Sequence, residues 1–209
     1  MKRHVNILII GLTLGLFACN SSADRQKTSV EKTVAVENII PTDTQTIIAS
    51  VKDLRDDCVR GQAEPIIKKS VFPKTKFILQ PDSITAIETI DFDNGDKLII
   101  KNWGCEYYVL TFRFETSRFK ADTTAMKYWY VTAYKIMTEM KKGVDAPIDI
   151  EKGLQALNGY ISKNGFDLKL QTEINFGGDE IRDFVTVEQI EKLTDKKFAL
   201  TISFTTGPL

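Results

Sequence analysis

The side chains best suited to chemistry in this 209-residue chain are three cysteines, a single histidine and a set of carboxylates. The histidine drops out first. His4 sits in an N-terminal stretch where Lys2 and Arg3 precede an apolar run from Val5 to Phe17, the anatomy of an export signal rather than of a membrane span. Residues 1–18 are expected to be removed, which leaves a mature chain without histidine. That excludes a Ser-His-Asp or Cys-His nucleophile, a histidine general base and a histidine metal ligand. Lys+Arg and Asp+Glu each number 28, and loss of Lys2 and Arg3 leaves a net charge of about −2, so no basic excess points to nucleic acid.

The signal ends in Leu16-Phe17-Ala18-Cys19. This stretch resembles the lipobox of bacterial lipoproteins, in which a small residue precedes an invariant cysteine. The resemblance covers about the first tenth of the chain. It implies that Cys19 becomes a diacylated N-terminus, and two or three acyl chains hold a protein stably where one gives marginal binding. The expected location is the bacterial cell envelope, at the outer membrane facing the periplasm. Asn20-Ser21-Ser22-Ala23 lacks the acidic run that in some bacteria accompanies surface export. With Cys19 lipidated, Cys58 and Cys105 remain as a pair in an oxidising compartment, and a disulfide is expected between them. It would close a loop of 47 residues, worth roughly 4 kcal/mol on chain entropy and often less in practice. Cys105 as a nucleophile would lack a histidine to activate it.

The carboxylates are the remaining candidates. Asp91, Asp93 and Asp96 surround Asn94-Gly95, but the spacing misses the calcium loop pattern, and turn chemistry accounts for them. No metal site is expected. Gly177-Gly178 lacks a following Lys-Ser/Thr and is read as a hairpin turn rather than a phosphate loop; no cofactor is implied. Two of Glu88, Glu106 and Glu115 could serve a glycan hydrolase, since paired carboxylates need no histidine. Glu88 faces inward in the strand pattern and is the one most open to a raised pKa, although an edge-strand carboxylate reaching water is the simpler expectation. Arg60 and Glu64, beside a turn, read as solvated charges.

The elements that must position these residues follow from periodicity. Residues 19–46 are polar and read as a tether spanning roughly 25 to 30 Å. Residues 47–209 are expected to form one globular domain. Ile47, Ile48, Val51 and Leu54 recur at helical spacing before Cys58. Ala63 to Pro73 and Lys76 to Gln80 read as strands limited by Pro65, Pro73 and Pro81 to sheet edges or bends. The stretch from Ile84 to Glu115 is the most strongly β-patterned. A three-residue Asp93-Asn94-Gly95 loop with Gly95 left-handed sets Phe92, Ile90 and Glu88 opposite Asp96, Leu98 and Ile100. Tyr108, Leu110, Phe112 and Phe114 then share a core face. Asn102-Trp103-Gly104 fits either a bulged turn or a kink. Asp122 reads as the cap of a helix carrying Met126, Trp129, Tyr130, Ala133, Ile136, Met137 and Met140. Asp149 caps a second, with Ile150, Leu154, Leu157 and Ile161, ended by Asn164-Gly165. Phe166 to Phe176 and Glu180 to Val185 read as a hairpin, Thr186 and Gln189 as a capping box opening a short helix, and Lys197 to Thr206 as a final strand.

The pattern predicts an α+β domain, an antiparallel sheet with two amphipathic helices packed on one face. Such a sheet leaves its other face free. Trp103, Tyr107, Arg113 and Glu115 fall there and form the candidate partner-binding face, for an envelope protein, peptide or glycan. A non-catalytic binding module is the leading functional reading, with no catalytic residue assigned; the alternative is the carboxylate-based glycan hydrolase.

Overall fold

A computed structural model of the chain describes residues 58–178 and 180–208. The expected export signal 1–18, the expected lipidation at Cys19, the expected tether 19–46 and the helix expected through Ile47 to Leu54 lie outside the described residues, as does Asp179. The described chain is a mixed α+β fold built on a seven-stranded sheet. Its strands are β1 (Thr75–Leu79), β2 (Ala86–Asp91), β3 (Lys97–Trp103), β4 (Tyr108–Thr116), β5 (Ile174–Gly177), β6 (Ile181–Lys192) and β7 (Phe198–Pro208). The spatial order is β1-β2-β3-β4-β7-β6-β5, and every neighbouring pair is antiparallel. Two helices, α1 (Met126–Met140) and α2 (Ile150–Asn164), lie in sequence between β4 and β5.

Register in the first half follows the turn chemistry. Glu88 stands opposite Ile100 and Ile90 opposite Leu98. Phe92 N–H donates to Asp96 O, and Gly95 carries φ +82°. The loop is therefore the three-residue form with glycine in the left-handed position. At the next reversal β3 ends at Trp103 and β4 begins at Tyr108. Gly104 sits at φ +105°, where a Cβ would lie 2.2 Å from Tyr107 O. This is a hairpin turn, so the two-way reading at Trp103 resolves against a kinked single strand.

Alternate residues then form one core. Leu98, Ile100, Leu110, Phe112, Leu200, Ile202 and Phe204 are fully buried and join Trp129, Tyr130, Met137, Leu154 and Leu157 from the helices. Phe112 and Phe204 meet edge to face at 5.9 Å, and Trp129 tilts onto Phe198 at 5.1 Å. Each such side chain contributes about 1.5 to 3 kcal/mol by leaving water. Gly153 of α2 is a contact requirement, since a Cβ there would lie 2.6 Å from the Phe204 ring.

Several local expectations are corrected. Ala63 to Pro73 forms turns and a single bridge, Ile67 to Val144, rather than a strand; its Ile66 and Ile67 amides donate to the Glu88 carboxylate, and its Ala63 and Lys68 amides to Ser83 O and Gly143 O. Helix α1 starts at Met126, and Asp122 accepts from the Thr124 N–H and hydroxyl in a local turn instead of capping it. Asp149 does cap α2, accepting from Lys152 N–H at 3.0 Å. Phe166 to Glu173 is not strand, and Phe166 is exposed. The short helix expected at Thr186 and Gln189 is absent because β6 runs on to Lys192 against β7, with a bulge between Val187 and Gln189. Pairing with the long β7 overrides the capping pattern there, and the β-branched Val185, Thr186, Val187 and Ile190 suit a strand.

Candidate functional site

Cys58 and Cys105 are bonded as a disulfide, with Cα atoms 5.2 Å apart. The bridge ties the start of the described chain to the β3–β4 turn and fixes one end of the sheet. Trp103, Tyr107 and Arg60 gather around that end.

Cross-strand pairing defines the face opposite the core. Trp103, Val109, Thr205 and Phe184 form one row, Lys101, Thr111, Ser203 and Thr186 the next, and Ile99, Arg113, Thr201 and Gln189 a third. At the disulfide end the face is aromatic. Trp103 is 38% exposed, donates from Nε1 to Thr111 Oγ1 at 3.4 Å, and carries the Lys101 ammonium 4.6 Å from its ring. Tyr107 precedes β4, and its ring lies against Gly207, where a Cβ would come within 2.1 Å. At the far end the face is ionic. Arg113 bonds Glu191 at 2.6 Å and lies 3.6 Å from Glu115, whose carboxylate also faces Lys197 at 3.5 Å. Hydroxyls lie between, and Thr186 Oγ1 is buried without a hydrogen-bond partner. The four candidate residues thus share a face but divide into two groups: Trp103 and Tyr107 at one end, Arg113 and Glu115 neutralising each other at the other.

Beside the disulfide, Val59, Tyr107 and Ile181 are 94%, 47% and 58% exposed and line a shallow groove with Cys105 and Glu106. Clustered exposure of large apolar side chains is uncommon on a monomer surface that has no binding role.

The three carboxylates proposed for hydrolysis are not brought together. Glu88 pairs with Ile100 on the core face, Glu115 stands on the opposite face with Arg113, and Glu106 is exposed in the β3–β4 turn. Glu88 is also no edge residue reaching water. It is 1% exposed on β2, and its oxygens accept from Ile66 N–H at 2.7 Å and Ile67 N–H at 3.2 Å. Burial pushes its pKa up, partly countered by those two amides. Asp96 binds Arg118, and Asp91 and Asp93 pair with Lys76 and Lys74. Among the described residues no cluster of acids or cysteines has the makings of a metal site.

Arg60 departs most from its expected role as a solvated charge. It is half-buried rather than solvated, with Nη1 donating to Gly104 O at 3.1 Å, Nη2 to Asn102 Oδ1, and its Cζ 4.4 Å from the Tyr108 ring centre. Asn102 in turn donates to Glu64 O at 3.1 Å. Only the short interval from Arg60 to Cys58 hinted at this, because a disulfide pins its neighbours to whatever the partner cysteine adjoins. Compared with known proteins, the chain matches no family model, no curated protein and no solved structure.

Proposed function

We propose that this protein is a membrane-anchored lipoprotein of the bacterial cell envelope whose domain acts as a non-catalytic binding module. The lipobox resemblance at Leu16 to Cys19 supports the anchor and the outer-membrane, periplasm-facing location. The observation that carries the binding reading is the exposed cluster of Val59, Tyr107 and Ile181 beside the disulfide, continued by Trp103 on the sheet. In this reading both helices pack on one face, and the other receives an envelope protein, peptide or glycan. Support for that arrangement comes from the core, where helix residues mix only with the strand parity of Leu98, Leu110 and Phe204.

A photo-crosslinking residue placed at Tyr107 in living cells tests the proposal. It should yield a discrete adduct that the same residue at exposed Phe166 does not give, and palmitate labelling should depend on Cys19. Identical cross-linking from both positions would remove the binding reading; labelling of a Cys19→Ala variant would remove the anchor.

A further inference from the structure

Four arginines lie among the described residues. Three hold a carboxylate: Arg113 with Glu191 at 2.6 Å, Arg118 with Asp96 at 2.7 Å and Arg182 with Glu173 at 3.4 Å. Arg60 forms no ion pair among the described residues, although it is half-buried. Burial accordingly pulls its pKa below the ordinary value, offset in part by the neighbouring Tyr108. A guanidinium withdrawn from water without a counter-charge is costly. Its bonds to Gly104 O and Asn102 Oδ1 use only some of its N–H donors.

The side chain is also held in place. Tyr108 supports its face, the Cys58–Cys105 bridge fixes the chain two residues away, and Asn102 is itself anchored to Glu64 O. Beside it opens a cavity of about 550 Å³, walled by Pro65, Ile66 and Pro147 and rimmed by Glu64 and Asp145. That volume suits a small ligand, and with Gln62 and Asn102 also on its lining most of the residues around the cavity are polar, which suits a charged one. Asn102 and Tyr108 belong to the strand parity opposite Trp103 and Val109, so the cavity opens on the other side of the sheet from the aromatic and ionic rows, and it meets the groove at Tyr107 only through Arg60 and Tyr108, which line both.

We propose that this cavity binds a small zwitterion, an amino acid or short peptide, whose carboxylate meets Arg60 and whose ammonium meets the acidic rim at Glu64 and Asp145. A half-buried guanidinium with no ion pair among the described residues calls for an anion. The two rim carboxylates, of which Asp145 already has Lys68 at 3.4 Å, would repel a plain anion and favour one that also bears a positive charge. A pre-oriented guanidinium receives a carboxylate with little further loss of side-chain freedom.

Calorimetric titration of the full-length protein in detergent micelles with diglycine tests this, with acetate and methylamine as single-charge probes. Diglycine should bind, and acetate and methylamine at least tenfold more weakly. Arg60→Gln should weaken diglycine at least tenfold, and Lys163→Gln, at an exposed position of α2, should leave it within twofold. Should Arg60→Gln fail to fold, the exposed Glu64→Lys variant takes its place, with the same expected loss. The proposal is overturned by absence of diglycine binding, by equal affinity for acetate, or by indifference to both Arg60→Gln and Glu64→Lys. It is also overturned by a tenfold gain in a variant carrying Asp56→Asn and Asp57→Asn, since the chain's own acids would then be the occupants of Arg60. None of these outcomes bears on cross-linking at Tyr107.

Discussion

Replacing Glu88 with alanine should cost about 2 to 4 kcal/mol of stability, a figure that follows from what the carboxylate holds. Its two oxygens accept from the buried Ile66 and Ile67 amides, and Ile67 makes the bridge to Val144. The peg thus fastens the chain between the disulfide and β1 onto the sheet. Removal strands two buried donors at about 1 to 3 kcal/mol each, and loss of a desolvated charge offsets part of that sum. Glu88→Gln keeps the volume and one acceptor, and should cost about half as much. Urea unfolding under non-reducing conditions measures both. The pH dependence supplies a second check, because burial raises the Glu88 pKa above 4.5. The folded state then binds this proton more tightly than the unfolded chain. Stability from this ionisation is fully present below 4.5 and is lost as pH rises through the folded value. The deficit of Glu88→Gln relative to the parent should therefore shrink as pH rises through that window. A Glu88→Ala loss under about 0.5 kcal/mol, within the range of an ordinary surface change, or a deficit that widens with rising pH, would refute the reasoning.

Cys105→Ser should lower stability by up to roughly 4 kcal/mol under non-reducing conditions, and an unchanged unfolding midpoint would show that the bridge has no structural weight. Gly153→Ala should cost about 1 to 3 kcal/mol by overpacking against Phe204, despite alanine's better helix propensity; a gain in thermal midpoint would show that the Phe204 ring yields freely.

What the residues disclosed on their own depended on how local the governing forces were. Asn94-Gly95 set its hairpin register because the left-handed glycine and the alternating faces act within a dozen residues. Asp149 announced α2 for the same reason. Thr186 and Gln189 misled because their capping pattern is local while the pairing of β6 with β7 is not, and eleven cross-strand partners outweigh one cap. Alternation turns Glu88 inward, but the partners that make its burial tolerable, Ile66 and Ile67, lie on a segment whose pattern predicts a strand and which forms turns instead. Alternation alone puts Trp103, Tyr107, Arg113 and Glu115 on one face. Their separation into an aromatic and an ionic end needed Gly207 and Glu191, both from the far part of the chain. Nothing local marks Arg60, since its partners Asn102 and Gly104 are more than 40 positions away and only the Cys58–Cys105 bridge brings them near.

Strand β7 follows every other strand in sequence, yet it lies between β4 and β6. Synthesis up to about residue 197 therefore yields two unjoined pieces, a meander of β1 to β4 and a hairpin of β5 and β6, each with an open edge and half a core. The sheet can close only when Phe198–Pro208 is inserted between them. Until then both open edges can pair with other chains, and such non-local closure is slow. A late truncation would remove the centre of this protein rather than its margin. Any pathway that delivers the chain must shield those two edges for as long as the final strand is missing.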